Sequence, residues 1–111
     1  MARLELKQIN AGRKTGYRNP NRVIVISGHY DNIITTGSLP SDTIPGADDN
    51  ATGVIAMLEA ARLLSTYDLP YTVEFVAFDE EEIGYLGAIG YADSTLNSKD
   101  TLFGVINMDM I

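Results

Sequence analysis

A chain of 111 residues holds one domain at most, large enough to bury a core but small for an α/β enzyme. Its formal charge of -7 is uneven, with six of the eight basic residues between Arg3 and Arg22 and only Arg62 and Lys99 beyond. An acidic body of this kind argues against nucleic acid as a partner, because phosphate backbones are bound by clustered Lys and Arg; the absence of cysteine excludes disulfides and thiolate ligands, leaving imidazole, carboxylate, backbone or water to hold any metal.

Leu4, Leu6 and Gln8-Ile9 suggest a first strand. The turn-rich stretch from Asn10 to Gly16 and the loop from Arg18 to Asn21 then fit a hairpin into the next segment. Val23-Ile-Val-Ile26 is a continuous β-branched run, which predicts a strand buried on both faces that stops at Ser27-Gly28 and leaves His29 just past its carboxyl end. Asn32 to Ala47, rich in Thr, Ser, Gly and Pro, reads as a long loop of the functional kind. From Ala51 to about Ser65, Val54, Ile55, Leu58, Ala61 and Leu64 recur at helical spacing, with Asn50 as N-cap and Asp49 at the helix entrance.

After the break at Tyr67-Asp-Leu-Pro70, residues Tyr71 to Phe78 form a second strong strand that runs into Asp79-Glu-Glu-Glu82. Ile83 to about Ala92 has helical potential despite Gly84, Gly87 and Gly90. Each glycine costs a helix about 1 kcal/mol relative to Ala, so they point to close backbone approach or to a loop before a shorter helix. Thr101 to Asn107 reads as a third buried strand, with Asp109 near its end. The strand, helix, strand, helix, strand order predicts right-handed crossovers and a largely parallel sheet in the α/β class, in one piece without repeats. No apolar run approaches the roughly 20 residues of a membrane span, and Met1-Ala-Arg-Leu-Glu5 lacks the apolar centre of an export signal, so no membrane partner is expected and no compartment is assigned.

The chemistry gathers where apolar runs give way to turns: His29-x-Asp31, Asp48-Asp49-Asn50, Glu81-Glu82 and Asp109. An α/β sheet delivers such boundary residues to a common crevice. Neutral imidazole with carboxylates is a ligand set for zinc, and manganese and cobalt accept it too. His29 followed by Asp31 suggests a ligand and the carboxylate that fixes its tautomer. Glu81 and Glu82 are adjacent and point different ways, so one can bind a metal while the other faces a water. Taken singly, these are a loop histidine, a helix cap and a solvated acidic turn. Their conjunction at successive element boundaries points to metal-assisted hydrolysis.

His29-Tyr-Asp31, Pro45-Gly-Ala-Asp-Asp-Asn-Ala-Thr-Gly53, Ala77-Phe-Asp-Glu-Glu-Glu-Ile-Gly-Tyr-Leu-Gly87 and Asn107-Met-Asp-Met110 together resemble the successive motifs of the co-catalytic zinc aminopeptidases. That family includes bacterial leucyl aminopeptidases and, more distantly, glutamate carboxypeptidases and glutaminyl cyclases. The resemblance runs from about Val23 to Ile111 and implies a three-layer αβα fold on a mostly parallel, mixed sheet, the phosphorylase/hydrolase-like zinc-exopeptidase core. By position it makes Asp49 the carboxylate bridging two zinc ions, with His29 and Asp109 completing one site and Glu82 belonging to the other. It makes Glu81 the general base and Asp31 the holder of His29, and it implies a cis peptide at Asp49-Asn50. The implied activity is exopeptidase hydrolysis of peptide substrates, most simply an aminopeptidase.

The family's second zinc site has its own histidine, which follows the Asn-Met-Asp-Met motif, whereas His29 is the only histidine here. The expectation is therefore a truncated, N-terminal portion of a catalytic core over residues 1–111, about a third to a half of a typical catalytic domain. It would hold two, one or no zinc ions, show weak or no turnover, and self-associate through an open sheet edge. The alternatives are a non-catalytic metal-binding or self-associating module, and a one-zinc cyclase of amino-terminal glutamine. The family's members are often exported.

Overall fold

The structure, a computed structural model, describes residues 10–33 and 46–111. The expected strand over Leu4 to Ile9 and residues 34–45 of the expected long loop lie outside the described residues. Among the described residues four strands form one mixed sheet: β1 (Asn10–Lys14), β2 (Asn19–His29), β3 (Tyr71–Phe78) and β4 (Thr101–Asn107). Their order is β1-β3-β2-β4, with β2 parallel to both β3 and β4, and β1 antiparallel to β3. Helix α1 (Thr52–Leu64) connects β2 to β3, and α2 (Leu86–Leu96) connects β3 to β4.

Strand alternation sends side chains to two opposite cores. Ile26, Val73, Phe75 and Ala77 pack under Met57 of α1, with Val54, Ala60, Ala61 and Leu64 around them. On the other face Val23, Val25 and Val76 meet Phe78 and Tyr91, the latter from α2. The result is the expected three-layer αβα arrangement, and the Val23–Ile26 run is divided between its two cores. No helix among the described residues is long and apolar enough to cross a membrane.

Two expectations are corrected. Residues 10–14 are a strand rather than a turn, and that strand pairs with β3 instead of forming a hairpin with β2. Asn10 and Gly12 have poor strand propensity, but tertiary pairing overrides it: Arg13 reaches across to Glu74 of β3 and, at 2.9 Å, to Asp100 ahead of β4. The reversal between β1 and β2 is pinned to the start of β3. Gly16 N–H donates to Thr72 Oγ1 (3.0 Å), whose hydroxyl donates to the Pro20 carbonyl (2.6 Å), and a Cβ on Gly16 would collide with the Tyr71 backbone.

The second correction is β4, expected to be buried, in which all seven residues are exposed. It pairs with β2 along one edge only among the described residues, and α1 and α2 lie over the other strands. Leu102, Phe103, Val105 and Ile106 thus keep the sequence pattern of an interior strand without its cover. An apolar groove of about 300 Å³ opens between α2 and β4, lined by Phe78, Tyr91, Leu102 and Val105 among others.

The glycine-rich segment before α2 takes the form of a loop before a shorter helix, which starts at Leu86 rather than Ile83 and runs on to Leu96. Gly84 has φ +118°, open to glycine alone, and Gly87 lies so close to the Asp79 backbone that a Cβ would strike its carbonyl oxygen. Tyr91 of α2 stacks edge-on against Phe78 at 5.7 Å, and its hydroxyl donates to Glu74.

Two outcomes follow from this packing. Burial, and then the hydrogen bond to Glu74, raise the Tyr91 phenol above its ordinary value. The folded chain therefore keeps this proton where the unfolded chain releases it, so its contribution is intact below about pH 10 and is lost as pH rises further. Tyr91→Phe should lower stability by about 1–3 kcal/mol at neutral pH and flatten that alkaline loss, measured by urea unfolding at pH 7 to 11. Gly53 of α1 is buried where a Cβ would collide with the Met108 carbonyl oxygen, so Gly53→Ala should destabilise the chain by about 1–3 kcal/mol in the same assay.

Candidate metal centre

Parallel pairing in register brings three strand ends to one rim. His29, the last residue of β2, lies opposite Phe78, the last of β3, and Ser27 lies opposite Asn107, the last of β4. His29 is thus inside the strand rather than just past it, because β3 continues to pair with β2 that far. The residues that follow, Asp31, Asp79 to Glu82 and Asp109, leave the sheet together. Met108 N–H donates to the Ser27 carbonyl at 2.8 Å, and Ser27 Oγ donates to Asn107 Oδ1 at 2.9 Å, so the exit of β4 is fastened to β2.

Asp49 arrives from another direction, in the turn Ala47–Ala51 that leads into α1. Its backbone is non-helical (φ -109°, ψ 94°), and the Asp49-Asn50 peptide is cis, as the resemblance implies. The cap position of α1 is Ala51 rather than the expected Asn50, but the Asn50 side chain still reaches the first turn, its Oδ1 accepting from Gly53 N–H at 3.2 Å.

His29 stands at the centre, 3% exposed. Its Nε2 is 3.0 Å from Asp49 Oδ1, 3.6 Å from Asp109 Oδ1 and 3.9 Å from Glu81 Oε2, and its Nδ1 is 3.3 Å from Asp31 Oδ1. Burial by itself lowers the imidazole pKa, but Glu81, Asp31, Asp109 and Asp49 together outweigh it and hold the group above its ordinary value. The Glu82 carboxyl is raised as well, by burial first and then by the charges of Asp49 and Glu81. So many carboxylates around one imidazole is an arrangement that a cation relieves.

The donors fit a divalent cation. Both ring nitrogens of His29 are buried and make no hydrogen bond, an uncommon state for a polar group unless a ligand completes it. Donor atoms of His29, Asp49 and Asp109 lie within 4.8 Å of one another, and so do those of His29, Glu81 and Glu82. Two oxygens and a nitrogen each about 2.0–2.2 Å from an ion are compatible with that spread. Glu82 meets Asp49 through its charge, and Asp48 belongs to neither group.

Asp31 has a wider part than its sequence position suggests. Besides facing His29 Nδ1, its two oxygens accept the backbone N–H groups of Glu81 and Glu82, each at 3.1 Å. One carboxylate thereby fixes the turn carrying both glutamates. Sequence reasoning also missed the reach of Asn50, whose amide bonds the backbone of Met108 and Met110 as well as Gly53. A helix-cap motif gives no signal of a partner at the far end of the chain.

Comparison with known proteins gives the family and the fold. The family model of Peptidase family M28 matches residues 10–111. A probable zinc metalloprotease of Pyricularia oryzae is 38% identical over 96 residues, covering 86% of this chain and 19% of that protein. One from Pyrenophora tritici-repentis is 39% identical over 99 residues, covering 86% and 22%. Among solved structures, BSAP, a zinc aminopeptidase from Bacillus subtilis, superposes with a TM-score of 0.76 at 31% identity, over 91% of this chain and 23% of that one. The aminopeptidase from Aneurinibacillus sp. strain AM-1 gives 0.76 at 29% identity, over 91% and 24%. The chain spans about a fifth of the length of these curated relatives and about a quarter of the solved ones. With a family match over residues 10–111 and a fold in common with zinc aminopeptidases, the chain belongs to peptidase family M28.

Proposed function

We propose that residues 1–111 are part of the catalytic core of a zinc-dependent exopeptidase, in its simplest form an aminopeptidase acting on peptide substrates. The observation that carries this reading is a buried histidine with neither ring nitrogen hydrogen-bonded, facing carboxylates from four separate chain segments. In it, His29, Asp49 and Asp109 hold one zinc ion, while Asp49 and Glu82 contribute to a second. Bound zinc supplies Lewis-acid polarisation of a carbonyl and lowers the pKa of water toward about 7.

The chain's own residues do the rest. Glu81 faces the cluster, 3.9 Å from His29 Nε2, where it accepts a proton from the attacking water and delivers it to the departing amine. Asp31 steadies both the proton-transferring glutamate and the ligand histidine, holding the Glu81 backbone by a hydrogen bond and facing Nδ1 of His29. An uncharged or misplaced residue at position 31 would loosen imidazole and glutamate together.

Zinc loading followed by dialysis and elemental analysis should leave one or two ions per chain; none retained would refute the metal centre. Glu81→Gln should retain zinc nearly as well. In whatever length of protein turns over an aminoacyl anilide, it should lower hydrolysis by about 10²- to 10⁴-fold. Unchanged turnover would remove Glu81 from the mechanism, and retained zinc without anilide hydrolysis at any length would favour a non-catalytic metal-binding module.

A further inference from the structure

Past Asn107 the sheet ends, and the next residues carry Asp109 toward His29 on backbone that β4 no longer pairs. Met108 N–H still bonds Ser27, but the backbone beyond it is held from another part of the fold. Asn50 Nδ2 donates to the Met108 carbonyl at 2.9 Å, and Asn50 Oδ1 accepts Met110 N–H at 3.0 Å. These two bonds straddle Asp109, one on the residue before it and one on the residue after. The third bond, from Gly53 N–H to the same Oδ1, anchors the amide to the first turn of α1. Asn50 is 2% exposed, so its amide has no water as a ready substitute for these bonds.

The partners also fix which way the amide faces, since two N–H groups must meet its oxygen and one carbonyl its nitrogen. An ionised aspartate lacks the donor, serine and threonine lack the second arm, and glutamine is one methylene longer. Gly53 makes room for the grip, because a Cβ there would strike both the Met108 oxygen and the Asn50 side chain. Asn50 follows Asp49 directly in the chain. A single side chain therefore couples the backbone that presents Asp49 to the backbone that presents Asp109.

We infer that Asn50 is a positioning residue that sets the placement of Asp109 relative to Asp49 and His29 by gripping the backbone on both sides of Asp109. The inference rests on the metal-centre reading above and adds to it the residue that holds two of its ligands in register. The Asn50 amide spends its hydrogen bonds on the backbone of Gly53, Met108 and Met110. Its effect on metal affinity passes through Asp109, and this is what distinguishes it from a residue that merely supports the fold.

The test is a double-mutant cycle on the full chain, read by cobalt(II) titration with the visible absorption band reporting coordination. The proteins are wild type, Asn50→Ala, Asp109→Asn and the double variant, with far-UV circular dichroism checking that each folds without metal. Asn50→Ala should weaken cobalt binding by about 10- to 100-fold and alter the band, the scale expected when a ligand's supporting partner is removed. In the Asp109→Asn background the same substitution should change affinity by less than about twofold, the limit for independent sites. Equal loss in both backgrounds would overturn the inference and leave the metal centre standing. No cobalt uptake by wild type, or full affinity in Asp109→Asn, would overturn the metal-centre reading and the inference with it. Should Asn50→Ala not fold, Asn50→Asp takes its place in the cycle, since it keeps both acceptor bonds and loses the donor. Its added negative charge alone would strengthen cation binding, so weakening that vanishes with Asp109→Asn supports positioning, and strengthened or background-independent binding refutes it.

Discussion

The parallel pairing of β2 with β3 and β4 is the constraint on which the remaining structure depends. Parallel strands end on the same side of a sheet, so the chain leaves β2, β3 and β4 at one rim, at His29, Phe78 and Asn107. Joining them requires crossovers, and because β3 and β4 flank β2 on opposite sides, the two crossovers run in opposite directions. With a common hand, that places α1 on one face and α2 on the other. The connections leaving β2 and β3 therefore part company above the sheet, and a crevice opens where they diverge. His29, Asp49, Glu81 and Asp109 meet in it because the topology leaves them nowhere else to go.

Charge then works against packing in that crevice. Several carboxylates share a small volume around one buried imidazole: their charges attract a proton to His29 in spite of burial, while burial and then the charges of Asp49 and Glu81 raise the Glu82 carboxyl. Hydrogen bonds from backbone amides hold the acids in place in spite of it. Asp31 takes two from the Glu81-Glu82 turn, and Asn50 ties down the segment bearing Asp109. Among the described residues no ion pair joins the carboxylates around His29 to a lysine or arginine, and Arg13 is engaged with Glu74 and Asp100. An acidic pocket with no lysine or arginine paired into it among the described residues remains open to an external cation.

Much of this was legible in the sequence where local pattern and burial coincide. Tyr71 to Phe78 and Thr101 to Asn107 read as strands at the bounds the structure gives them, because apolar β-branched and aromatic residues bracketed by turn residues have few other uses. The cluster around His29 was legible for a related reason: its members sit where those patterns stop. What escaped is non-local. β1 carries a turn-like composition and becomes a strand only through β3. β4 has the pattern of a covered strand, yet a pattern records what a strand is suited to, not which surfaces meet it. The contacts of Asn50 with Met108 and Met110 join positions almost sixty residues apart, which no window along the chain can register.

The ligands proposed for one ion, His29, Asp49 and Asp109, come from the beginning, middle and end of the described chain. In a protein without cysteine, an ion held by them acts as a reversible cross-link that closes a long loop, and loop closure removes freedom chiefly from the unfolded chain. Unlike a disulfide, such a link has a strength set by supply. With the proposed ion bound, each tenfold rise in free metal above the dissociation constant would add about 1.4 kcal/mol to the folded state, and the persistence of this fold would become a function of the metal content of its surroundings.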